Sequence, residues 1–148
     1  MRHNILLIPL RTIALVLLSG ANTSLYAAEN LVIPLWKNGA PGFESRKNEP
    51  EVVNKGSITN VHNPSLTVFA PSKEASNGIG IIIAPGGGLR KLGMRGGGEE
   101  PAQFLADNGF TAFVLKYRLS RQPGQPYKFE EHVLQDGQRA VRLVRHRA

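Results

Sequence analysis

Two glycine triplets stand close together in "IIIAPGGGLRKLGMRGGGEE", Ile81 to Glu100. Glycine reaches backbone angles closed to other residues, and it lets a ligand approach the main chain with no Cβ in the way. Directly after an apolar, strand-like run, consecutive glycine N–H groups can form a fixed donor array. Three ligands could use such an array: the pyrophosphate of a dinucleotide, the phosphates of a nucleotide, or the oxyanion that develops on a carbonyl during acyl transfer. A plain turn with no ligand is the fourth reading.

The spacing separates these readings. A dinucleotide fingerprint needs G-x-G-x-x-G; Gly86 and Gly88 fit, but Lys91 occupies the last glycine position. Where the next strand ends and an acidic ribose partner should stand, the chain has Lys116, Tyr117 and Arg118. A phosphate loop of the Walker type needs Gly-Lys-Ser/Thr, which is missing. An oxyanion needs donors alone, and "APGGG" supplies them. Arg90 and Lys91 could still assist an anion, so a nucleotide- or anion-binding module remains the alternative, with a non-catalytic relic beside it. Elsewhere, His62 reads as a loop histidine, Trp36 as a packing residue beside a Gly/Pro turn, and Asp136 with Arg139 as an i,i+3 pair on a helix. The chain has no cysteine, which excludes disulfides, thiolate catalysis and cysteine-held metals.

The elements that must position the glycines are legible around them. Leu66, Val68 and Ala70 alternate with Thr67 and Phe69, the period of a strand. Ile79 and Ile81 to Ala84 are continuously apolar, which predicts a strand buried on both faces. "GEEPAQFLADNG" predicts a helix with Glu99 and Glu100 at its positive end, Pro101 in the first turn and Gly109 as its stop. "FTAFVLKYRL" is a second apolar strand. In "FEEHVLQDGQRAVRLVRHRA", Phe129, Val133, Leu134, Ala140, Val141 and Val144 fall on one helical face, with Arg145, His146 and Arg147 in the last turn. Val52 and Val53 suit a short edge strand. Strand, helix, strand, helix in this order predicts an α/β fold with parallel strands joined by crossovers.

The chain has 148 residues, of which 41% are hydrophobic and 20% charged, enough for one globular domain. Its net charge of +7 owes much to a basic helix end. No nucleic-acid partner is expected, since basic residues are not interleaved with aromatics. The opening "MRHNILLIPLRTIALVLLSGANTSLYAAEN" has the basic, apolar and small-residue regions of a secretory signal. Cleavage after Ala21, Ala27 or Ala28 is expected, giving a secreted or periplasmic protein. Pro9 and Arg11 interrupt the apolar run, which falls short of the about 20 residues of a membrane span. No stable span is therefore expected after cleavage. Residues 1–28 are read as signal and 29–148 as a partial domain.

The blocks "PLWKNGAPG", "NVHNPSLTVFAP", "IIIAPGGGLRKLG", "AQFLADNGFTAFVLKYRL" and "DGQRAVRLVRHRA" occur in the order found in esterases of the α/β-hydrolase fold. The chain resembles acetyl xylan and other carbohydrate esterases (the esterase/lipase, dienelactone-hydrolase-like group) over nearly all its length after the signal. "APGGG" corresponds to the HGGG-type loop of such enzymes, with Pro85 where His would stand. The resemblance implies a serine ester hydrolase acting on a small-molecule or polysaccharide ester, with no cofactor and no metal. It implies that the amides of Gly87 and Gly88 form the oxyanion hole. Asp136 and Arg139 match a D-x-x-R-A segment of the group.

The same resemblance places the nucleophile in G-x-S-x-G after a further strand, with the acid and His later still. The chain has no G-x-S-x-G, and all its serines up to Ser120 precede that point. The fold needs roughly 250 residues or more. The expectation is therefore the N-terminal part of an α/β-hydrolase fold, a mostly parallel sheet flanked by helices, ending before the nucleophile turn. Such a piece should be inactive alone and poorly soluble, with an unpaired edge on the strand after Phe110.

Overall fold

The computed structural model describes residues 30–147. The expected signal, residues 1–28, lies outside the described residues. Six short strands and two α-helices follow one another: β1 (Val32–Pro34), β2 (Val52–Asn54), β3 (Ser57–Thr59), β4 (Ser65–Phe69), β5 (Gly80–Ile83), α1 (Glu100–Asp107), β6 (Thr111–Lys116) and α2 (Leu134–Arg147). Each α-helix is entered through a five-residue π-helical turn, Arg95–Glu99 and Phe129–Val133. The first helix starts and stops as its sequence predicts. Pro101 sits in its first turn, Asn108 caps its end, and Gly109 takes φ +87° just beyond.

The main sheet has the order β1-β4-β6-β5. Parallel pairing holds for β5 and β6, joined by the α1 crossover, whereas β1, β4 and β6 run alternately antiparallel. The sheet is therefore mixed. Its two faces carry different helices. A Cβ placed on Gly98, at the entry to α1, would lie 2.8 Å from Val114 of β6; one on Gly80 would meet Phe113 of β6 at 3.2 Å and Val144 of α2 at 3.7 Å. Neighbouring strand residues point to opposite faces, so α1 covers one side of the sheet and α2 the other. Leu66, Ala112 and Val114, all fully buried, join Leu35, Leu92, Ala102 and Ala140 in the core between these layers.

Two expectations about edges are corrected. The isoleucine strand is not buried on both faces: β5 is half-exposed, and Ile79 just before it is 52% exposed. Nor is β6 the strand with a free edge, since it lies between β4 and β5. The edges are β1, which pairs only with β4, and β5, which pairs only with β6 among the described residues. A run of apolar residues reports that a strand is sticky, not which neighbour it receives. The apolar face expected of the last helix is also only partly covered. Val133 and Ala140 are buried, whereas Phe129, Leu134 and Val141 are exposed.

A second, two-stranded sheet pairs β2 with β3. Its hairpin is tied to the core by reciprocal main-chain hydrogen bonds of 2.8 Å between Ile58 and Leu92. This hairpin therefore rests directly against the loop that follows β5.

Candidate functional site

The glycine loop, residues 84–93, leaves the end of β5 and folds back on itself. Pro85 is buried, and its carbonyl accepts a 2.7 Å hydrogen bond from the hydroxyl of Tyr117, just beyond β6. Burial pushes the Tyr117 hydroxyl above its ordinary pKa, so it remains a proton donor at this contact. The Gly86 carbonyl accepts from the Gly93 amide at 2.8 Å, the Gly87 carbonyl from the Arg90 amide at 3.2 Å, and the Leu89 carbonyl from the Arg121 amide at 2.9 Å. The carbonyls of Pro85, Gly86, Gly87 and Leu89 are thus engaged. The amides of Gly87 and Gly88 donate to no protein group among the described residues.

Residue type explains how this asymmetry arises. Gly87 has φ +147° and Gly88 +64°, and Leu89 follows at +61°. A Cβ on Gly87 would run into the main chain of Lys91, with its carbonyl carbon only 2.7 Å away. Only glycine closes the turn here. A Cβ on Gly88 would meet nothing within 4 Å, and the residue is exposed. The second triplet does a different job: Gly98 lets the turn into α1 approach Pro85 and Val114. A hollow of about 260 Å³ borders the loop on the α2 side, lined by Ala84, Leu89, Tyr117, Phe129, Leu134 and Gly137 among others. It takes in the exposed part of the helix face.

Asp136 and Arg139 do not pair with each other. Asp136 is fully buried and binds Arg118, also fully buried, through both oxygens at 2.8 and 2.9 Å. It also accepts from the Arg118 amide and, at 3.0 Å, from the Trp36 indole. Arg139 instead donates to the Leu35 carbonyl at 3.0 Å and lies over the Trp36 ring. A bidentate, desolvated Arg–carboxylate pair is far stronger than an exposed helical i,i+3 contact, which is why the aspartate turns inward. The group therefore locks α2 to the end of β6 and to the loop after β1. Trp36 is a packing residue with a polar duty as well.

His62 is not a surface loop residue either: its side chain is fully buried. Its Nδ1 meets the Tyr127 hydroxyl at 2.5 Å, and its Nε2 lies 2.8 Å from Asn60 Oδ1 and 3.2 Å from a Glu49 oxygen. The Arg46 Nη2 also lies 3.2 Å from Nε2; in the tautomer whose Nε2 donates to the Asn60 oxygen, Nδ1 accepts from Tyr127. Burial, followed by the Arg46 charge, holds His62 below the ordinary imidazole range. Sequence spacing carries no signal for this network, because its members come from three separate loops.

Other chemistry is sparse. No serine hydroxyl is hydrogen-bonded to a histidine among the described residues. No group of three or more His, Asp or Glu suited to a metal occurs among them. No described helix is long and apolar enough to cross a membrane.

One solved structure shares this arrangement over most of the chain. It is an acetyl ester-xyloside bifunctional hydrolase from Caldicellulosiruptor lactoaceticus, 30% identical, with a TM-score of 0.53 and 80% of the present chain covered. The fold is that of part of an α/β hydrolase. The present chain covers 36% of that hydrolase's length. A thermophilic esterase from Thermogutta terrifontis also matches, at 22% identity and a TM-score of 0.47, over 66% of this chain and 33% of its own. The same esterase phosphorylated by paraoxon matches at the same identity and TM-score, with 36% of its length covered. Both are too distant to bear on function. No protein-family model and no curated protein matches the chain.

Proposed function

We propose that the chain is the glycine-loop part of a secreted serine ester hydrolase acting on acyl, chiefly acetyl, esters of polysaccharides. One observation carries the reading: the N–H groups of Gly87 and Gly88 have no protein acceptor among the described residues, while the carbonyls of Gly86, Gly87 and Leu89 beside them are bonded. Gly88 is exposed and Gly87 half-buried, so water can meet these donors in the free chain and the asymmetry stays available to a ligand. A loop that receives a developing alkoxide needs such donors. When a serine attacks an ester, the carbonyl oxygen takes up negative charge, and each fixed donor contributes about 2.7–4 kcal/mol to the transition state. Tyr117 supports this by fixing Pro85, and Lys91 by closing the turn.

The proposed substrate class is supported by the likeness to the C. lactoaceticus protein, an acetyl ester-xyloside bifunctional hydrolase. In enzymes of this class the nucleophile, acid and His stand further along the fold, and no serine–histidine pair occurs among the described residues. The chain alone is accordingly inactive.

Two measurements on the chain test the reading. Titrating the 15N-labelled chain with a phosphonate monoester, a stand-in for the tetrahedral oxyanion, should shift the Gly87 and Gly88 amide resonances and leave the bonded Gly93 amide in place. Resonances that stay still at saturating phosphonate count against the oxyanion role. The chain should release no p-nitrophenol from p-nitrophenyl acetate above buffer; turnover that survives purification would show a nucleophile this account lacks.

A further inference from the structure

The face of the β2–β3 hairpin that looks towards the glycine loop encloses a hollow of about 360 Å³, lined by Val52, Asn54, Lys55, Ser57, Thr59 and Lys91. Val52 pairs with Thr59 and Asn54 with Ser57 across the hairpin, so these four share one face. Lys55 stands at the turn and Lys91 closes the opposite side. We propose that this hollow binds a carboxylated sugar, so that the ester substrate is carried on an acidic polysaccharide rather than a neutral one.

Three observations converge. First, the hollow contains two ammonium groups and no carboxylate among its lining residues. Most cations nearby are already neutralised: Lys116 pairs with Glu51, Arg46 with Glu49 and Arg95 with Glu100. Lys55, Lys91 and the adjacent Arg90 form no ion pair among the described residues. Second, the remaining wall is Asn54, Ser57 and Thr59, whose amide and hydroxyls can meet sugar hydroxyls, with Val52 as its one apolar side chain. No aromatic ring lines it, which disfavours single-stranded nucleic acid, whose bases need stacking platforms. Third, the hollow adjoins the reacting position. The Lys91 side chain passes beside Gly87, its Cγ 3.1 Å from where a Cβ would stand, and Arg95 supports the hairpin turn through its amide bond to the Gly56 carbonyl. The volume lies within the range of small-molecule sites.

The link to an ester rests on the esterase reading, whereas the binding itself does not. Affinity electrophoresis of the chain through gels containing polygalacturonate or neutral xylan separates the two. We expect retardation by polygalacturonate alone, weakening with salt as exposed charges are screened. Replacing Lys55 or Lys91 by Gln should weaken binding about threefold each and together about tenfold. The Lys55→Arg and Lys91→Arg variants keep the charge and should retain binding, and circular dichroism checks that every variant is folded. Arg145→Gln with Arg147→Gln, at the far end of α2, removes as much charge and should leave binding unchanged. Equal retardation by neutral xylan, or none by either polymer, overturns the proposal; so does unchanged binding in the double lysine variant or equal loss in the arginine variant at the α2 end. Competition by polyuridylate through the same two lysines would make the hollow a nucleic-acid site and also overturn it. A negative phosphonate titration at Gly87 and Gly88 with positive polygalacturonate binding would sink the esterase reading alone; the reverse pattern would sink only this inference.

Discussion

Gly87→Ala and Gly88→Ala look like the same substitution one residue apart, yet the structure separates them. At Gly88 an added methyl meets nothing within 4 Å, so the cost is that of a left-handed residue, about 1–2 kcal/mol. At Gly87 the φ of +147° lies where side chains are strained, about 1–3 kcal/mol. There the methyl is also driven into the Lys91 main chain, held from the other side by the hydrogen bonds of Leu92 to Ile58. Overpacking against a fixed backbone adds about 1–3 kcal/mol, bringing Gly87→Ala to about 2–6 kcal/mol. Against the 5–15 kcal/mol that holds a typical domain folded, that change is large. Urea unfolding followed by circular dichroism measures both. Gly87→Ala should lower the midpoint clearly more than Gly88→Ala, without changing the slope. If the two variants unfold together, the turn geometry assigned to the loop is wrong, and the argument that glycine is needed to present these amides falls with it.

Three further outcomes are expected. Asp136→Ala leaves Arg118 buried without its partner and should cost about 3–5 kcal/mol, whereas Arg139→Ala, which loses one carbonyl bond and a ring contact, should cost about 1–2 kcal/mol; thermal melts of both check the order. Tyr117→Phe strips the Pro85 carbonyl of its buried donor and should cost about 1–3 kcal/mol, with the Gly87 and Gly88 amide resonances moving as the loop loses its anchor. Finally, His62 and His132 are both held below the ordinary imidazole value of 6.5, chiefly by burial. The unfolded chain therefore takes up protons first, so stability should be full above pH 6.5 and decline as the pH falls below it. His62→Gln should flatten that part of the profile; an unchanged decline in this variant would remove His62 from the explanation.

Much of the fold was legible because its signals are local. The α1 helix declares its start with Pro101 and its stop with Gly109, and the period of Leu66 and Val68 marks a strand before any contact is known. The glycine loop was legible as well, since three glycines after an isoleucine run have few uses. What local pattern does not carry is partnership. Ile81 to Ile83 read as a strand buried on both faces because apolar side chains record stickiness, while sheet order is set by pairings distant in sequence, such as β4 with β6. Asp136 and Arg139 read as a pair because they are neighbours on a helix, but Arg118, eighteen residues before Asp136, donates N–H bonds to both of its carboxylate oxygens in a dry place. His62 disappeared into the loops for the same reason: Glu49, Asn60 and Tyr127 meet it only in three dimensions. Phe129, Leu134 and Val141 have the helical spacing of a core face, and their exposure shows that periodicity measures amphipathicity rather than coverage.

Amide hydrogen exchange, read residue by residue, tests the account most directly, because the proposed oxyanion role depends on two main-chain donors kept without a protein acceptor. Gly87 and Gly88 should exchange nearly as fast as an open chain, while the amides of Gly93 and Leu92 in the same loop are protected. Slow exchange at Gly87 and Gly88 would mean that the protein itself already occupies those donors, and that no oxyanion is received there.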